Sequence, residues 1–127
     1  MSLIKLRDKL DKVFSLYIRQ KYADDNGNVA CYTCGKAKHW KELHAGHFVS
    51  RRHLCTRFDE RNVKPQCPGC NLFNQGNAPI FAQRLLTDYG SKIIDELLEK
   101  SKGTCKFTRS DYEDLINQYQ IKLKQWN

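Results

Sequence analysis

Two pairs of cysteines with metal-ligand spacing are the clearest chemical feature of this sequence. Cys31 and Cys34 form one C-x-x-C pair, and Cys67 and Cys70 form the other. The pairs suit a tetrahedral Zn²⁺ site, because each can wrap one side of the ion. Four thiolates leave no open coordination position, so such a zinc ion is structural and any enzymatic chemistry must use other groups. A redox-active dithiol is the alternative interpretation of each pair.

Histidine and asparagine side chains lie between and beside the cysteine pairs in an order that has chemical meaning. His47 precedes Asn62, and Asn71 directly follows Cys70. A hydrolytic nuclease needs a base that deprotonates water, a group that orients this base, and a divalent ion that bears phosphate charge. His47 suits the first task because a pKa of about 6.5 leaves it largely neutral at pH 7. Asn62 could orient the ring through its amide or backbone, and Asn71 offers a neutral oxygen to a hard cation such as Mg²⁺.

This order of residues between two cysteine pairs resembles the zinc-containing HNH endonucleases, also called ββα-metal or His-Me finger nucleases, which include phage endonuclease VII. The segments H-A-G-H-F, R-F-D-E-R-N-V, Q-C-P-G-C-N and Q-G-N are similar to the phage lambda NinG (Rap) recombination family. The resemblance covers about residues 29–90. It implies a phage or prophage protein that cuts branched DNA, such as Holliday junctions or D-loops, with the help of a divalent metal.

The resemblance also implies a role for each candidate site residue. His47 would be the general base, Asn62 its support, and Asn71 a ligand of the catalytic Mg²⁺ or Mn²⁺. Endonuclease VII-like proteins carry an acidic metal ligand directly before the base, where this sequence has Gly46. NinG-like proteins often have Asp where His44 stands, so we expect His44 to serve as the second metal ligand. A histidine ligand would shift the metal preference towards Mn²⁺ or another transition ion.

Basic residues concentrate in the segment that contains the cysteines. Residues 31–76 carry eight basic and three acidic side chains, a balance of +5 out of the net +8 of the chain. A focused positive surface favours a polyanion such as DNA. The candidate phosphate contacts are Arg51, Arg52, Arg57 and Arg61. Pairing with Asp59 and Glu60 is the alternative, and we expect two of these four arginines to contact phosphates.

Apolar periodicity predicts the helices that flank this segment. An amphipathic pattern indicates a helix over about residues 3–22, and the segment 77–127 is expected to form further helices. One begins near Pro79 and ends at Gly90, another begins at Ser91, and a third follows a capping box formed by Ser110 and Glu113. The residues expected to face inward on the first two of these are Ile80, Phe81, Leu85, Leu86, Ile93, Ile94, Leu97 and Leu98.

The segment between the helices is expected to be a zinc-bound HNH-like core over residues 29–76. Residues 29–32 and 40–49 are candidate strands, residues 50–64 a loop, and a short helix is expected after Cys67. The sequence thus predicts one α+β domain, a small zinc-stapled ββα-metal unit flanked by N-terminal and C-terminal helices. Because so short a unit cannot build an adequate hydrophobic core, zinc would supply the missing folding free energy.

Location and partners follow from the remaining features. The chain has no run of about 18 apolar residues and no signal-peptide pattern, so we expect a cytoplasmic protein of a bacterial host cell. In that compartment the isolated Cys55 and Cys105 are expected to be idle thiols. DNA, branched or duplex, is the expected partner, and a homodimer would place two symmetric nicks. The rival functions are a non-catalytic zinc-dependent DNA-binding module and a protein–protein adaptor.

Overall fold

A computed structural model of the chain describes residues 1–126. It combines helices with two small sheets, so the predicted α+β class is confirmed. The helices are α1 (Leu3–Gln20), α2 (Leu54–Arg57), α3 (Ala78–Tyr89), α4 (Ile93–Ser101) and α5 (Arg109–Lys124). The strands are β1 (Asn28–Ala30), β2 (Ala37–His39), β3 (His44–His47) and β4 (Val63–Gln66). Single helical turns occur at Trp40–Glu42, Gly69–Phe73 and Gln75–Asn77.

Helix α1 forms where the apolar periodicity predicts it. The side chain of Ser2 caps its start by accepting a hydrogen bond from the backbone N–H of Lys5 at 3.1 Å. One face of the helix is buried against α5 and against the ribbon formed by β3 and β4. The buried residues of α1 are Leu6, Leu10, Val13, Phe14, Tyr17 and Ile18.

Helix α5 begins at a different cap from the one predicted. Thr108 is the cap residue: its hydroxyl accepts from the backbone N–H of Asp111 at 3.1 Å, and the Asp111 carboxylate accepts from the Thr108 N–H at 2.8 Å. The predicted box of Ser110 and Glu113 is therefore wrong, because Ser110 already lies inside the helix whereas Thr108 has the extended backbone of a cap. The buried residues of α5 are Tyr112, Ile116 and Tyr119.

The strands form two antiparallel ribbons, β1 with β2 and β3 with β4. In the second ribbon His44 pairs with Gln66 and His47 with Val63. The candidate strand over 40–49 is shorter than predicted, since Trp40–Glu42 is a helical turn. The candidate loop over 50–64 is also partly wrong, because it contains α2 and the start of β4. The ribbon places both histidines of β3 beside the segment that leads into the second cysteine pair.

Helices α3 and α4 pack through a narrower stripe than predicted. Phe81, Leu85, Ile93 and Leu97 are buried together with Tyr32 and Val49, and Ile94 packs at their edge. Ile80, Leu86 and Leu98 were expected to face inward, but all three are exposed. The reason is that each helix contacts the rest of the molecule along one side only, so residues at the margin of its apolar face remain in solvent.

The two cysteines outside the C-x-x-C pairs are joined by a disulfide between Cys55 of α2 and Cys105, which follows α4. The expectation of two idle thiols is therefore wrong, because the fold brings together residues 50 positions apart in the sequence. Within residues 1–126, no helix has the length and apolar character that a membrane span requires.

Candidate metal centre and histidine groove

The four cysteines of the C-x-x-C pairs converge at one point. Cys31 and Cys34 lie in the tight turn between β1 and β2, where the N–H of Gly35 donates to the carbonyl of Cys31 at 2.9 Å. Cys67 and Cys70 follow β4 directly. All four sulfur atoms lie within 4.8 Å of one another, and those of Cys34 and Cys67 are 3.7 Å apart. Thiolates that bind one Zn²⁺ at about 2.3 Å are about 3.8 Å apart, so the four sulfurs fit a tetrahedral zinc site.

The acidity of these thiols also indicates a cation site. Burial raises the pKa of Cys31, but hydrogen bonds from Thr33 and from backbone groups outweigh it and lower this pKa to about 6. The backbone N–H of Lys36 lowers the pKa of Cys34, but burial and the neighbouring sulfurs outweigh that bond and raise the pKa. One thiol therefore ionises readily, and its negative charge opposes the ionisation of a second thiol. A positive ion at the centre of the cluster would favour ionisation of all four thiols.

A groove of about 430 Å³ lies beside the cysteine cluster and collects three of the four predicted catalytic residues. These are His44 and His47, at the two ends of β3, and Asn71, which follows the last cysteine. The Asn71 amide nitrogen is 3.1 Å from Nδ1 of His44. Four charged side chains also line the groove: Asp11, Arg19, Lys41 and Arg51. The fold thus brings the predicted base and both predicted metal ligands to one surface.

His47 is half-buried, and its ring has a defined tautomer. Its Nε2 lies 3.0 Å from the carbonyl oxygen of Arg57. Since a carbonyl only accepts, Nε2 carries the proton and Nδ1 is left with a lone pair. Burial lowers the pKa of His47, and the positive charge of Arg51 lowers it further, against the opposing effects of the Arg57 carbonyl and of Asp11. The side chain is therefore neutral and able to accept a proton at neutral pH.

Asn62 supports the site through the backbone around His47 and does not contact the ring. Its side chain is fully buried, accepts from the N–H of Val49 at 2.8 Å, and donates to the carbonyls of Val49 at 3.0 Å and Thr56 at 3.2 Å. Its own carbonyl accepts from the N–H of Phe48 at 2.9 Å. Asn62 thus fixes the residues that follow His47 and the residue that precedes Arg57, whose carbonyl holds the ring.

Arg57 has an internal role that differs from the predicted phosphate contact. Its guanidinium is buried, and it donates to Asp11 at 2.9 Å and to the carbonyl of Arg51 at 2.9 Å. Asp11 is not among the site residues predicted from the sequence. In the sequence, Asp11 is marked only as a charged residue next to the buried Leu10. Asp8, another acidic residue of the same helix, is marked in a similar way. Asp11 fixes Arg57, and the carbonyl of Arg57 fixes the ring of His47.

Of the other candidate arginines, Arg61 is also used internally. It pairs with Asp59 at 2.9 Å and with Glu96 at 3.1 Å. Burial raises the pKa of Asp59, but hydrogen bonds from Arg61 and from a lysine of α4 outweigh it and lower this pKa to about 2. Arg51 and Arg52 are exposed, and Arg51 lines the groove. Two of the four arginines therefore have exposed side chains, and the other two form ion pairs within the fold.

An acidic residue in place of Gly46 would require the side chain of Gln66 to move. A Cβ at this position would lie 1.8 Å from Oε1 of Gln66. Gln66 is itself held in place, because its amide nitrogen donates to the hydroxyl of Thr33 at 3.1 Å and to the carbonyl of Gly76 at 2.9 Å. The space beside the Cα of Gly46 is filled by Gln66, which ties the β3–β4 ribbon to the first cysteine pair.

Comparisons with known proteins identify similar chains in phages. The family model described as bacteriophage lambda NinG protein matches residues 2–127. Protein ninG of Escherichia phage 933W is 30% identical over 111 residues, which cover 85% of this chain and 51% of that protein. Protein ninG of Escherichia phage lambda is 29% identical over 111 residues, 85% of this chain and 50% of that protein. The chain therefore spans about half the length of these curated relatives. No solved structure matches it.

Proposed function

We propose that this chain, which belongs to the bacteriophage lambda NinG family, is a metal-dependent endonuclease that hydrolyses DNA phosphodiesters. The observation that carries the proposal is the groove in which His47, His44 and Asn71 lie together beside the cysteine cluster. The β3–β4 ribbon and the helical turn Gly69–Phe73 would supply the two strands and the helix of a ββα-metal, or HNH, unit. The cysteine cluster would hold structural zinc and take no part in the chemistry.

His47 would act as the general base. With its Nε2–H donated to Arg57, Nδ1 can accept a proton from a water molecule in the groove. The water oxygen then attacks phosphorus, the bond to the 3′ oxygen breaks, and that oxygen leaves and is protonated from solvent. His47 returns the proton it took to solvent. Asp11 and Asn62 are positioning residues in this scheme, since each holds the backbone that orients the ring.

His44 and Asn71 would hold the catalytic Mg²⁺ or Mn²⁺. Their side chains already lie together, and rotation of the Asn71 amide would turn its oxygen towards His44. One imidazole nitrogen and one amide oxygen leave most coordination positions to water and phosphate, and a nitrogen ligand favours Mn²⁺ over Mg²⁺. When bound there, the ion would supply positive charge to the phosphate oxygens.

DNA would lie along the groove. Arg19, Lys41 and Arg51 line it and would contact phosphates on either side of the scissile bond, with the exposed Arg52 beside them. Arg57 and Arg61 are left out of this assignment because acidic partners occupy their guanidinium groups. Branched recombination intermediates are the proposed substrates, and a homodimer would allow two symmetric nicks. Both assignments rest on the resemblance of the motifs.

A cleavage assay with a matched histidine control tests the proposal. Zinc-loaded protein is incubated with labelled four-way-junction, flap and duplex DNA, with Mg²⁺, with Mn²⁺ or with neither. We expect metal-dependent cutting that is lost in His47→Ala and retained in His53→Ala, because His53 lies outside the groove and its side chain makes no capping hydrogen bond. Zinc content and circular dichroism establish that both variants are folded.

A non-catalytic zinc-dependent DNA-binding module is the second candidate. It is favoured by Gly46, since the residue directly before His47 supplies no acidic metal ligand. The two functions differ in metal stoichiometry: a nuclease binds a second, weaker divalent ion at His44 and Asn71, whereas a binding module needs zinc alone. DNA binding without cutting under every metal condition, and no second ion, would exclude the nuclease. A protein–protein adaptor would show neither DNA binding nor cutting.

A further inference from the structure

A second cavity, of about 550 Å³, lies against the β4 strand of the same ribbon. Its volume falls in the range of small-molecule binding sites. Tyrosine rings and two basic side chains dominate its wall, and one carboxylate accompanies them. These residues are Tyr22, Tyr32, Lys64, Arg84, Asp88 and Tyr89. The proposed cleavage chemistry uses none of them.

Lys64 is the unusual residue of this cavity. It is 4% exposed, and its ammonium donates one hydrogen bond, to the hydroxyl of Tyr89 at 2.5 Å. The ammonium also lies over the rings of Tyr89 and Tyr32, at 4.7 and 5.5 Å from their centroids. None of the ion pairs among residues 1–126 includes Lys64. Such a buried cation is costly without a negative partner, so an anion in the cavity would be strongly attracted.

The carboxylate in the cavity forms no ion pair with Lys64. Asp88 accepts a hydrogen bond from the hydroxyl of Tyr32 at 2.6 Å and lies 4.0 Å from the guanidinium of Arg84. Arg84 also donates to the carbonyl of Tyr32 at 3.1 Å and lies over its ring at 4.5 Å from the centroid. Asp88 and Arg84 thus offset each other around Tyr32. The cavity keeps the positive charge of Lys64.

We propose that this cavity binds one nucleotide of an unpaired DNA strand. The phosphate would be held by Lys64 and Arg84. The base would stack on the rings of Tyr22 and Tyr89, which are 60% and 42% exposed and flank the opening. An aromatic surface beside a buried positive charge is the combination by which proteins bind single-stranded nucleic acid without reading its sequence.

The position of the cavity connects it with the groove. Lys64 pairs with Gly46 across the ribbon, and Gly46 lies between His44 and His47 of the groove. A strand that leaves a duplex at the groove would therefore need to pass only the width of the ribbon to reach Lys64. This geometry favours substrates in which an unpaired strand adjoins a duplex. That preference rests on the proposed nuclease activity, whereas nucleotide binding by the cavity does not.

The test measures how tightly the zinc-loaded protein binds two ligands. One is a labelled oligothymidylate of about six nucleotides, and the other is thymidine monophosphate. Lys64→Met keeps the length of the side chain and removes a buried charge, so we expect the variant to fold. Tyr22→Ala removes an exposed ring. We expect each change to weaken oligothymidylate binding about tenfold, whereas Lys102→Met, at an exposed lysine far from the cavity lining, leaves it unchanged.

The outcomes separate the cavity from the nuclease. Unchanged oligothymidylate binding in both Lys64→Met and Tyr22→Ala would overturn the proposal. A different result would be that thymidine monophosphate binds through Lys64 and the oligonucleotide binds no more tightly than it does. This would identify a free nucleotide as the ligand and overturn the assignment to a DNA strand. A protein that cuts no DNA but binds oligothymidylate through Lys64 would refute the nuclease and support the cavity. If it cuts, Lys64→Met is expected to slow flap cleavage and spare linear duplex.

Discussion

The α1–α5 pair and the cysteine unit, which comprises residues 28–43 and 67–77, both contact the β3–β4 ribbon but are stabilised in different ways. The helix pair buries a continuous cluster of aliphatic and aromatic side chains, including Leu10, Phe14 and Tyr119. The cysteine unit buries few, and three of the five residues in its cluster are cysteines: Val29, Cys31, Leu43, Cys67 and Cys70. Hydrophobic burial can hold the first region, whereas the second has a smaller apolar core and is expected to depend on a metal ion.

The groove takes one part of its geometry from each region. Asn71 is placed by its neighbour Cys70, so its position depends on the cysteine unit. His47 is oriented by the carbonyl of Arg57, and Asp11 of α1 holds Arg57 in place. The candidate base thus depends on the helix pair, and a candidate metal ligand depends on zinc. The two regions should therefore fail separately when they are perturbed separately.

Removal of zinc is expected to have the largest effect. Structural zinc contributes about 10 kcal/mol to the folding of small domains, so chelation should abolish the order of β1, β2 and residues 67–77. Hydrogen exchange is the measurement: amides of the cysteine unit should lose protection well before those of α1 and α5. A Cys55→Ser, Cys105→Ser double variant is the comparison, since it loses the disulfide but keeps all four cysteines of the cluster: with zinc bound, its cysteine unit should stay protected. Equal loss of protection along the whole chain would show that the two regions are one cooperative unit.

A substitution that creates a cavity in the helix pair is expected to destabilise that region and leave the cysteine unit intact. Leu10 is fully buried, so Leu10→Ala should lower the free energy of unfolding by about 3 kcal/mol. Denaturant unfolding with zinc bound measures this change, and zinc affinity should stay the same. Ile4→Ala is the matched control on the same helix, because Ile4 is 63% exposed. A loss of zinc affinity in Leu10→Ala alone would indicate that the helix pair shapes the cysteine unit directly.

A methyl group at Gly46 tests the contact that joins the two regions. Because its Cβ would meet Oε1 of Gln66 at 1.8 Å, Gly46→Ala should destabilise the protein by about 2 kcal/mol. Gly69→Ala is the control, since the nearest atom to its new methyl lies 3.8 Å away. Thermal unfolding of the zinc-loaded variants compares them. Equal stability of the two variants would mean that Gln66 yields easily, and an acidic residue at position 46 would then be compatible with the fold.

The same division explains what could be predicted from the sequence. Helix α1 and the grouping of the four cysteines follow from local patterns, a 3.6-residue period and the C-x-x-C spacing, and the structure bears out both. Strand β4 and the links through Asp11 and Gln66 depend on residues distant in the chain, and no local pattern marks them. The cap at Thr108 was missed for another reason: two overlapping motifs compete there, and only the backbone conformation selects one.

The smallest expected effect concerns the charge of His47. Its pKa is lowered in the folded protein, first by burial and then by Arg51. The unfolded chain therefore binds more protons than the folded one between the lowered and the ordinary pKa. The contribution of His47 to stability is therefore present above the ordinary histidine pKa. It is lost as the pH falls through the pKa that His47 has in the folded protein. If His47 is the base, activity should likewise persist below the ordinary histidine pKa.

Arg51→Gln removes a positive charge near His47 and should raise its pKa. The acid limb of the pH–rate profile, or the titration of the His47 ring followed by NMR, should then shift to higher pH. Because Arg51 is exposed, salt screens its charge, so the shift should shrink as ionic strength increases. Arg52→Gln is the matched control, since Arg52 is equally basic but does not line the groove. Equal shifts in both variants would show that the net charge of the loop acts on His47, and that Arg51 has no special place in the groove.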